Sequence, residues 1–258
     1  MIPIKTAPEI EKMRAACRLA SRILDEISAL LAPGVTTREI DQAAGKLMVE
    51  AGCRSAFLGY KKFPGQICIS LNDEVVHGIG GSRRIQYGDA VKLDIGVILD
   101  GFVGDTAATV PVGIVHEDVR RLLEVAENAL YLGIEKARDG RRLGEVSAAI
   151  QDEVENHGFS VVREFVGHGV GRRLHEEPQI PNYRTPGVNA KLRAGMTLAI
   201  EPMVNAGRPE VKMLKDGWTI VTIDGSLSAH FEHTVLITDG EPEILTWSDR
   251  TPSRLKAA

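Results

Sequence analysis

The sequence predicts an α+β fold built from two similar halves. Three observations carry that expectation: two pairs of amphipathic helices in the same order, apolar strands following each pair, and acids at matching places in those strands.

Thr6 and Glu9 stand at capping-box spacing, and Ile10, Met13, Cys17, Ala20, Ile23, Leu24, Ile27 and Leu31 then recur at helical intervals up to Pro33-Gly34. Thr36 and Glu39 repeat the box. Ile40, Ala43, Ala44, Leu47 and Met48 give a second helix that stops at Gly52, where glycine accepts the left-handed turn that ends helices. After Pro111 the order returns: Val119, Leu122, Leu123, Ala126, Leu130 and Ile134 form a long helix halted by Asp139-Gly140, and a fourth helix ends near Gly158.

Gly34, Glu39, Ile40, Ala43 and Gly52 align with Gly140, Glu145, Val146, Ala149 and Gly158 at a constant spacing of 106 positions. Helical periodicity is generic, so the helices alone leave a chance match open. The strands decide it: Gly88 precedes Val91-Lys92-Leu93-Asp94 and Gly195 precedes Leu198-Ala199-Ile200-Glu201, each acid six residues beyond its glycine. We read an internal duplication, with halves at about 6–112 and 113–248 of one domain spanning 1–258.

At 258 residues and 43% hydrophobic, the chain can bury a substantial core. Its 31 Lys+Arg against 35 Asp+Glu leave a net charge of −4 without a polybasic tail, which argues against nucleic acid as main ligand. Cys17, Cys53 and Cys68 form no CxxC pair, so neither a disulfide framework nor a zinc finger is expected, and a reducing compartment fits. The N-terminus lacks an apolar leader and no apolar run nears the ~20 residues that span a bilayer. The expectation is a cytoplasmic chain without a membrane partner.

The chemistry is written in the acids. Val91–Ile98 reads as a buried strand, Asp100-Gly101 as a two-residue hairpin turn, and Phe102–Val110 as the return strand. Leu99 then pairs with Phe102, Asp94 faces Ala107, and Asp105 faces Gly96. Both aspartates point to one face as diagonal neighbours, roughly 7–8 Å apart at Cα. Two carboxylates on an apolar face repel each other and lose hydration, so they need a cation, a shared proton or a salt bridge unless the hairpin edge is exposed.

In the second half Glu201 closes the apolar strand Met196–Ile200. Glu232 lies in Ala229–Thr238, expected opposite Trp218–Thr222 across a loop containing Asp224-Gly225. With His168, set between Gly167 and Gly169, the set is four carboxylates and one imidazole, whose charge two divalent ions would balance. Oxygen-rich ligation favours Mn²⁺, Fe²⁺ or Co²⁺, and Zn²⁺ also fits. Two such ions roughly 3.5–4 Å apart can share a hydroxide and polarise the carbonyl it attacks, which suits amide hydrolysis. Gly167-His168-Gly169-Val170-Gly171 is not a phosphate loop, because its spacing is not GxGxxG.

His77-Gly78-Ile79, Asp94, the hairpin from Asp100-Gly101 to Gly104-Asp105-Thr106, Gly167-His168-Gly169-Val170-Gly171, His175-Glu176-Glu177-Pro178, Glu201-Pro202 and Glu232-His233-Thr234 together resemble the signatures of type I methionine aminopeptidases. The resemblance runs from about Ile4 to about Trp247. It implies the pita-bread fold, two pseudo-symmetric halves around a central metal site in a single catalytic domain. It implies that Asp94, Asp105, His168, Glu201 and Glu232 bind two metals (Co, Mn, Fe or Zn), with Asp105 and Glu232 bridging.

By the same resemblance, His175 contacts the scissile carbonyl, His77 contacts substrate near the cleaved bond, and Glu201 shuttles protons. From the residues alone, His77 and His175 read as surface histidines. The methionine pocket would be lined by Phe57, Tyr60, Phe63, Cys68, His77, Leu174, His175 and Trp218. Leu174 stands where the family usually carries an aromatic residue and Phe57 where many members carry a smaller one, which suggests a compensating exchange of bulk.

Proline-specific peptidases share that fold, but their metal histidine and HExP segment usually lie further apart than His168 and His175, and they carry a separate N-terminal domain. Type II enzymes carry an insertion for which the interval from Glu201 to Glu232 leaves no room. A non-catalytic binding module would have lost metal ligands. The implied substrate is a nascent polypeptide N-terminus with methionine first and a small second residue. A monomer is expected, with ribosome contact conceivable through Arg120-Arg121 or Arg141-Arg142.

Overall fold

The computed structural model describes residues 2–187 and 189–248; Met1, Val188 and 249–258 of the expected domain lie outside them. Four helices form where the periodicity places them: α1 (Ala7–Ser28), α2 (Thr37–Glu50), α3 (Glu117–Lys136) and α4 (Leu143–Asn156). α1 stops short of Leu31, with the Ala29 amide closing on Asp25 and Ile27. Past that point Leu30 is exposed, while Leu31 still packs on the core from outside the helix, ahead of Pro33-Gly34. The box at α2 is complete: Glu39 accepts from the Thr36 amide at 2.8 Å, and the Thr36 hydroxyl accepts from the Glu39 amide at 3.2 Å.

Among the described residues the strands form one nine-stranded antiparallel sheet and two three-stranded ones. Across the large sheet run Arg54–Ser55, Ala90–Leu99, Phe102–Pro111, Glu232–Leu236, Thr197–Ile200, Gly167–Gly169 and Glu176–Ile180; Cys68–Leu71 also pairs with Ala90–Leu99, and Glu243–Ile244 with Glu232–Leu236. The hairpin has the expected register, Leu99 opposite Phe102, Asp94 opposite Ala107 and Asp105 opposite Gly96. The halves are joined where Glu232 pairs with Ala107 and His233 with Thr106, and again where Ile220 pairs with Val76.

One pairing differs from expectation. Ile220–Thr222 does not face Glu232; it pairs with Val211–Met213 and Glu74–Val76. The expected strand Ala229–Thr238 breaks at Phe231, so that Ser228–His230 pairs with Met203–Asn205 while Glu232–Leu236 enters the large sheet. Asp224-Gly225 closes a different turn, since the Asp224 carboxylate accepts from the amides of Arg208 and Ser226. A turn signal encodes a reversal of the chain, and the partner of each arm is chosen by burial.

Side chains alternate across a sheet, so each strand has one face for the helices and one for the site. Leu93, Ile95 and Val97 pack with Ile23, Ile27, Ile40 and Met48 of α1 and α2, and Leu198, Ile200 and Val235 pack with Leu130, Ile134, Val146 and Ile150 of α3 and α4. The opposite face is left for the acids.

Candidate metal centre and substrate slot

Two adjacent rows on that face assemble the centre. Cys68, Asp94, Ala107 and Glu232 stand in line across four strands. The next row holds Gly96 opposite Asp105 and His168 opposite Ala199, which faces Thr234; the Thr234 hydroxyl donates to the Asp105 carbonyl at 2.7 Å and links the two ends. Gly96, Ala107 and Ala199 are the small residues between the polar ones, and they leave space above the sheet.

Asp105, His168 and Glu232 each offer a ligand atom within 4.8 Å of the others. His168 Nε2 lies 3.4 Å from Glu201 and 3.7 Å from Asp105. The His168 Nδ1–H donates to the Gly169 carbonyl at 2.9 Å, which leaves the Nε2 lone pair facing the acids, the arrangement metal-binding histidines use. Close packing makes this geometry: a Cβ at Gly169 would strike the Glu177 carbonyl.

Burial is the first cause that pushes all four carboxylates, Asp94, Asp105, Glu201 and Glu232, above the usual acid range, and for Asp94, Asp105 and Glu232 repulsion from neighbouring acids adds to it. Among the described residues no Lys or Arg forms an ion pair with any of them. The buried ammonium of Lys92 is committed instead to the carbonyls of Asn72 and Ser228. Asp94 Oδ1, Asp105 Oδ1 and Glu232 Oε1 are buried without a hydrogen-bond partner. Such orphaned oxygens cost about 1–3 kcal/mol each, and more when charged, so this donor set fits divalent cations.

The acids form the floor of a cavity of about 260 Å³, and every site residue singled out from sequence lines it, from Phe57, Tyr60, Phe63 and Cys68 to Leu174 and Trp218. Phe63 and Trp218 meet edge to face at 5.0 Å. Phe57 is seated because Gly96 beneath it has no side chain; a Cβ there would run into the ring.

The two further histidines are held by different means. His77 has a φ of 60°, a left-handed conformation that costs a side-chain-bearing residue about 1–3 kcal/mol. Its ring packs edge to face on Phe165 at 5.3 Å, and burial holds its pKa down to about 4. His175, exposed at the mouth of the slot, shares a hydrogen bond between Nδ1 and the Tyr60 hydroxyl at 2.9 Å, its ring centre lies 4.3 Å from that of His168, and partial desolvation lowers its pKa. Its loop is anchored by a buried ion pair at 2.6 Å between Lys5 and Glu176.

Lys61, Phe165 and His230 escaped the sequence reading. Lys61 lines the slot from the short 3₁₀ turn Tyr60–Lys62 and Phe165 from a loop, neither with a periodicity to mark it. His230 stands two positions before Glu232, and that spacing was a usable signal for a shared face. It is buried, its Nε2 lies 3.5 Å from Glu201, and burial lowers its pKa to about 4.

Residues 11–239 match the model of metallopeptidase family M24. Methionine aminopeptidase 1 of Bacillus subtilis is 50% identical over 246 residues, 95% of this chain and 99% of that protein. The crystal structure of methionine aminopeptidase from Thermotoga maritima superposes with a TM-score of 0.94 at 46% identity, covering 96% of this chain and 100% of the other. Prolidase from Pyrococcus furiosus shares the fold at a TM-score of 0.78 and 26% identity, over 96% of this chain and 66% of that one. A pita-bread fold with an acid-lined, imidazole-bearing floor thus meets about 50% identity over nearly the whole length, and the chain belongs to metallopeptidase family M24, among its methionine aminopeptidases.

Proposed function

We propose that this chain, acting as a single catalytic domain, removes the N-terminal methionine from nascent polypeptides with a small second residue. The observation that carries the reading is the four-carboxylate, one-imidazole floor beneath a slot walled by Phe57, Phe63, Leu174 and Trp218. A flexible thioether suits such a wall.

Asp94, Asp105, His168, Glu201 and Glu232 would hold two divalent ions (Co, Mn, Fe or Zn). When bound, the pair supplies a nucleophile at neutral pH and polarises the carbonyl under attack. The protein does the rest. Glu201 takes the nucleophile's proton at a carboxylate oxygen and passes it to the departing amine. Because Tyr60 occupies His175 Nδ1, the His175 proton sits on Nε2 and donates towards the carbonyl oxygen as charge develops there. His77 offers a second neutral ring beside the cleaved bond, held against Phe165 and Trp218.

No described helix is long and apolar enough to cross a membrane; that the chain works as a cytoplasmic monomer is a separate part of the proposal. Ribosome contact through the arginine pairs has less support. Arg120 is paired with Glu117 and Glu124, Arg141 with Glu145, and Arg121 lies over Phe159.

The test is to strip the protein with chelator, add Mn²⁺, Fe²⁺, Co²⁺ or Zn²⁺ in turn, and follow residues released from Met-Ala-Ser and from an Ala-Pro peptide by mass spectrometry. Metal-dependent methionine release from the first peptide alone is the expected result. Cleavage before proline would replace the proposal with a proline-specific peptidase, and no cleavage with any metal would leave a binding module.

A further inference from the structure

We infer that His230 is the positioning residue for Glu201: its imidazole donates from Nε2 to one carboxylate oxygen of Glu201 and leaves the other oxygen free for the metal face. The inference rests on the role proposed for Glu201.

Glu201 needs such a partner. It stands just past the strand Thr197–Ile200, where the chain turns into Pro202. Asn182 donates to its main-chain carbonyl at 3.0 Å, which pins the backbone and leaves the carboxylate free to rotate. His168 cannot orient it by donation, because the His168 proton is spent on Gly169 and its Nε2 presents a lone pair to Glu201 Oε1.

His230 has the opposite constitution. Its backbone is held on both sides: it pairs with Met203, its N–H donates to the Thr109 hydroxyl at 2.9 Å, and that hydroxyl donates back to the His230 carbonyl at 2.8 Å. The ring is 2% exposed, and its Nε2 is buried with no hydrogen-bond partner. That atom lies 3.5 Å from Glu201 Oε2, so a movement of about 0.3 Å brings it into the N–H···O range. A lone pair turned towards a buried carboxylate with no cation between them would be repelled, so we assign His230 the Nε2–H tautomer. The two oxygens of Glu201 are thereby divided, one facing a donor ring and the other a lone-pair ring. Partners one layer behind metal ligands typically account for 10- to 100-fold in metal affinity or activity.

The experiment titrates chelator-stripped wild type, His230→Ala, His230→Gln, Glu201→Gln and the Ala/Gln double variant with Mn²⁺ by calorimetry, then measures kcat and KM on Met-Ala-Ser. His230→Ala is expected to weaken Mn²⁺ binding about tenfold or more and to lower kcat with little change in KM. His230→Gln, whose amide can donate in the ring's place, should recover most of both. In the Glu201→Gln background the alanine change should add almost nothing, the coupling that a shared interaction requires.

His230→Leu keeps the volume without the donor and makes the same test should the alanine variant melt early. Unchanged Mn²⁺ affinity and kcat in the alanine and leucine variants, or equal losses in both Glu201 backgrounds, would overturn the inference. Because the Mn²⁺ titration uses no peptide, coupling seen there while wild type releases no methionine would sink the proposed substrate and leave the positioning role standing.

Discussion

The two halves of the molecule deliver acids to one face by different routes. In the first half Asp94 and Asp105 sit on the arms of a single hairpin whose turn, Asp100-Gly101, sets their register locally. In the second half Glu201, just past the strand Thr197–Ile200, and Glu232, in the strand Glu232–Leu236, are far apart in the chain, and Glu232 itself pairs with Ala107 of the other half. A duplicated helix-and-strand pattern therefore does not imply duplicated wiring. One half sets its register with a single tight turn, and the other sets it by pairing Glu232–Leu236 with the sequence-remote strand Thr197–Ile200 and with Thr106 and Ala107 of the first half.

If the two routes end in one functional unit, disabling either should be equally severe. Asp105→Asn and Glu232→Gln should each lower metal-dependent methionine release by more than about a hundredfold, since even partners behind the ligands are worth 10- to 100-fold. Release rates and metal content by mass spectrometry check this. A large loss for one and a small loss for the other would break the equivalence.

The acids of both halves should also titrate as one stability term. Their folded-state pKa values are raised, so the folded, chelated protein binds more protons than the unfolded chain above the ordinary acid range. Stability is then fullest below about pH 4, the unfolded carboxylate value, as far as these groups decide it, and falls as pH rises towards neutrality. Melting temperatures of chelated protein should drop over that interval, and added Mn²⁺ should abolish the slope. A slope that persists with Mn²⁺ would detach these acids from the metal.

The slot walls differ between halves, Phe57 over Gly96 on one side and Leu174 on the other. Gly96→Ala should push the Phe57 ring into the slot and raise KM for Met-Ala-Ser about tenfold, within the 1–3 kcal/mol usual for overpacking. An unchanged KM would mean that Phe57 gives way without cost and does not shape the slot.

The smallest contrast lies at the equivalent caps of α2 and α4. Thr36 accepts from the Glu39 amide, whereas Arg142, at the matching position, has no acceptor on its side chain. Thr36→Ala should cost about 1 kcal/mol in urea unfolding, while Arg142→Ser should gain a similar amount. Equal effects of alanine at both positions would erase the distinction.

The sequence by itself determined the helices, the capping boxes of α1 and α2, the hairpin register and the five polar residues that the fold brings to one cavity. These follow from local signals: periodicity, turn chemistry, and the cost of burying a carboxylate unpaired. His77 and His175 were legible only through family resemblance, because a left-handed backbone at His77 and a Tyr60 contact at His175 leave no periodic trace. Only the tertiary structure decided that the chain breaks at Phe231, that Glu232 pairs with Ala107 and not with the 218–222 strand, and that His230 is buried against Glu201. Strand partners remote in sequence are selected by which apolar faces can be covered together, and that choice depends on the whole core.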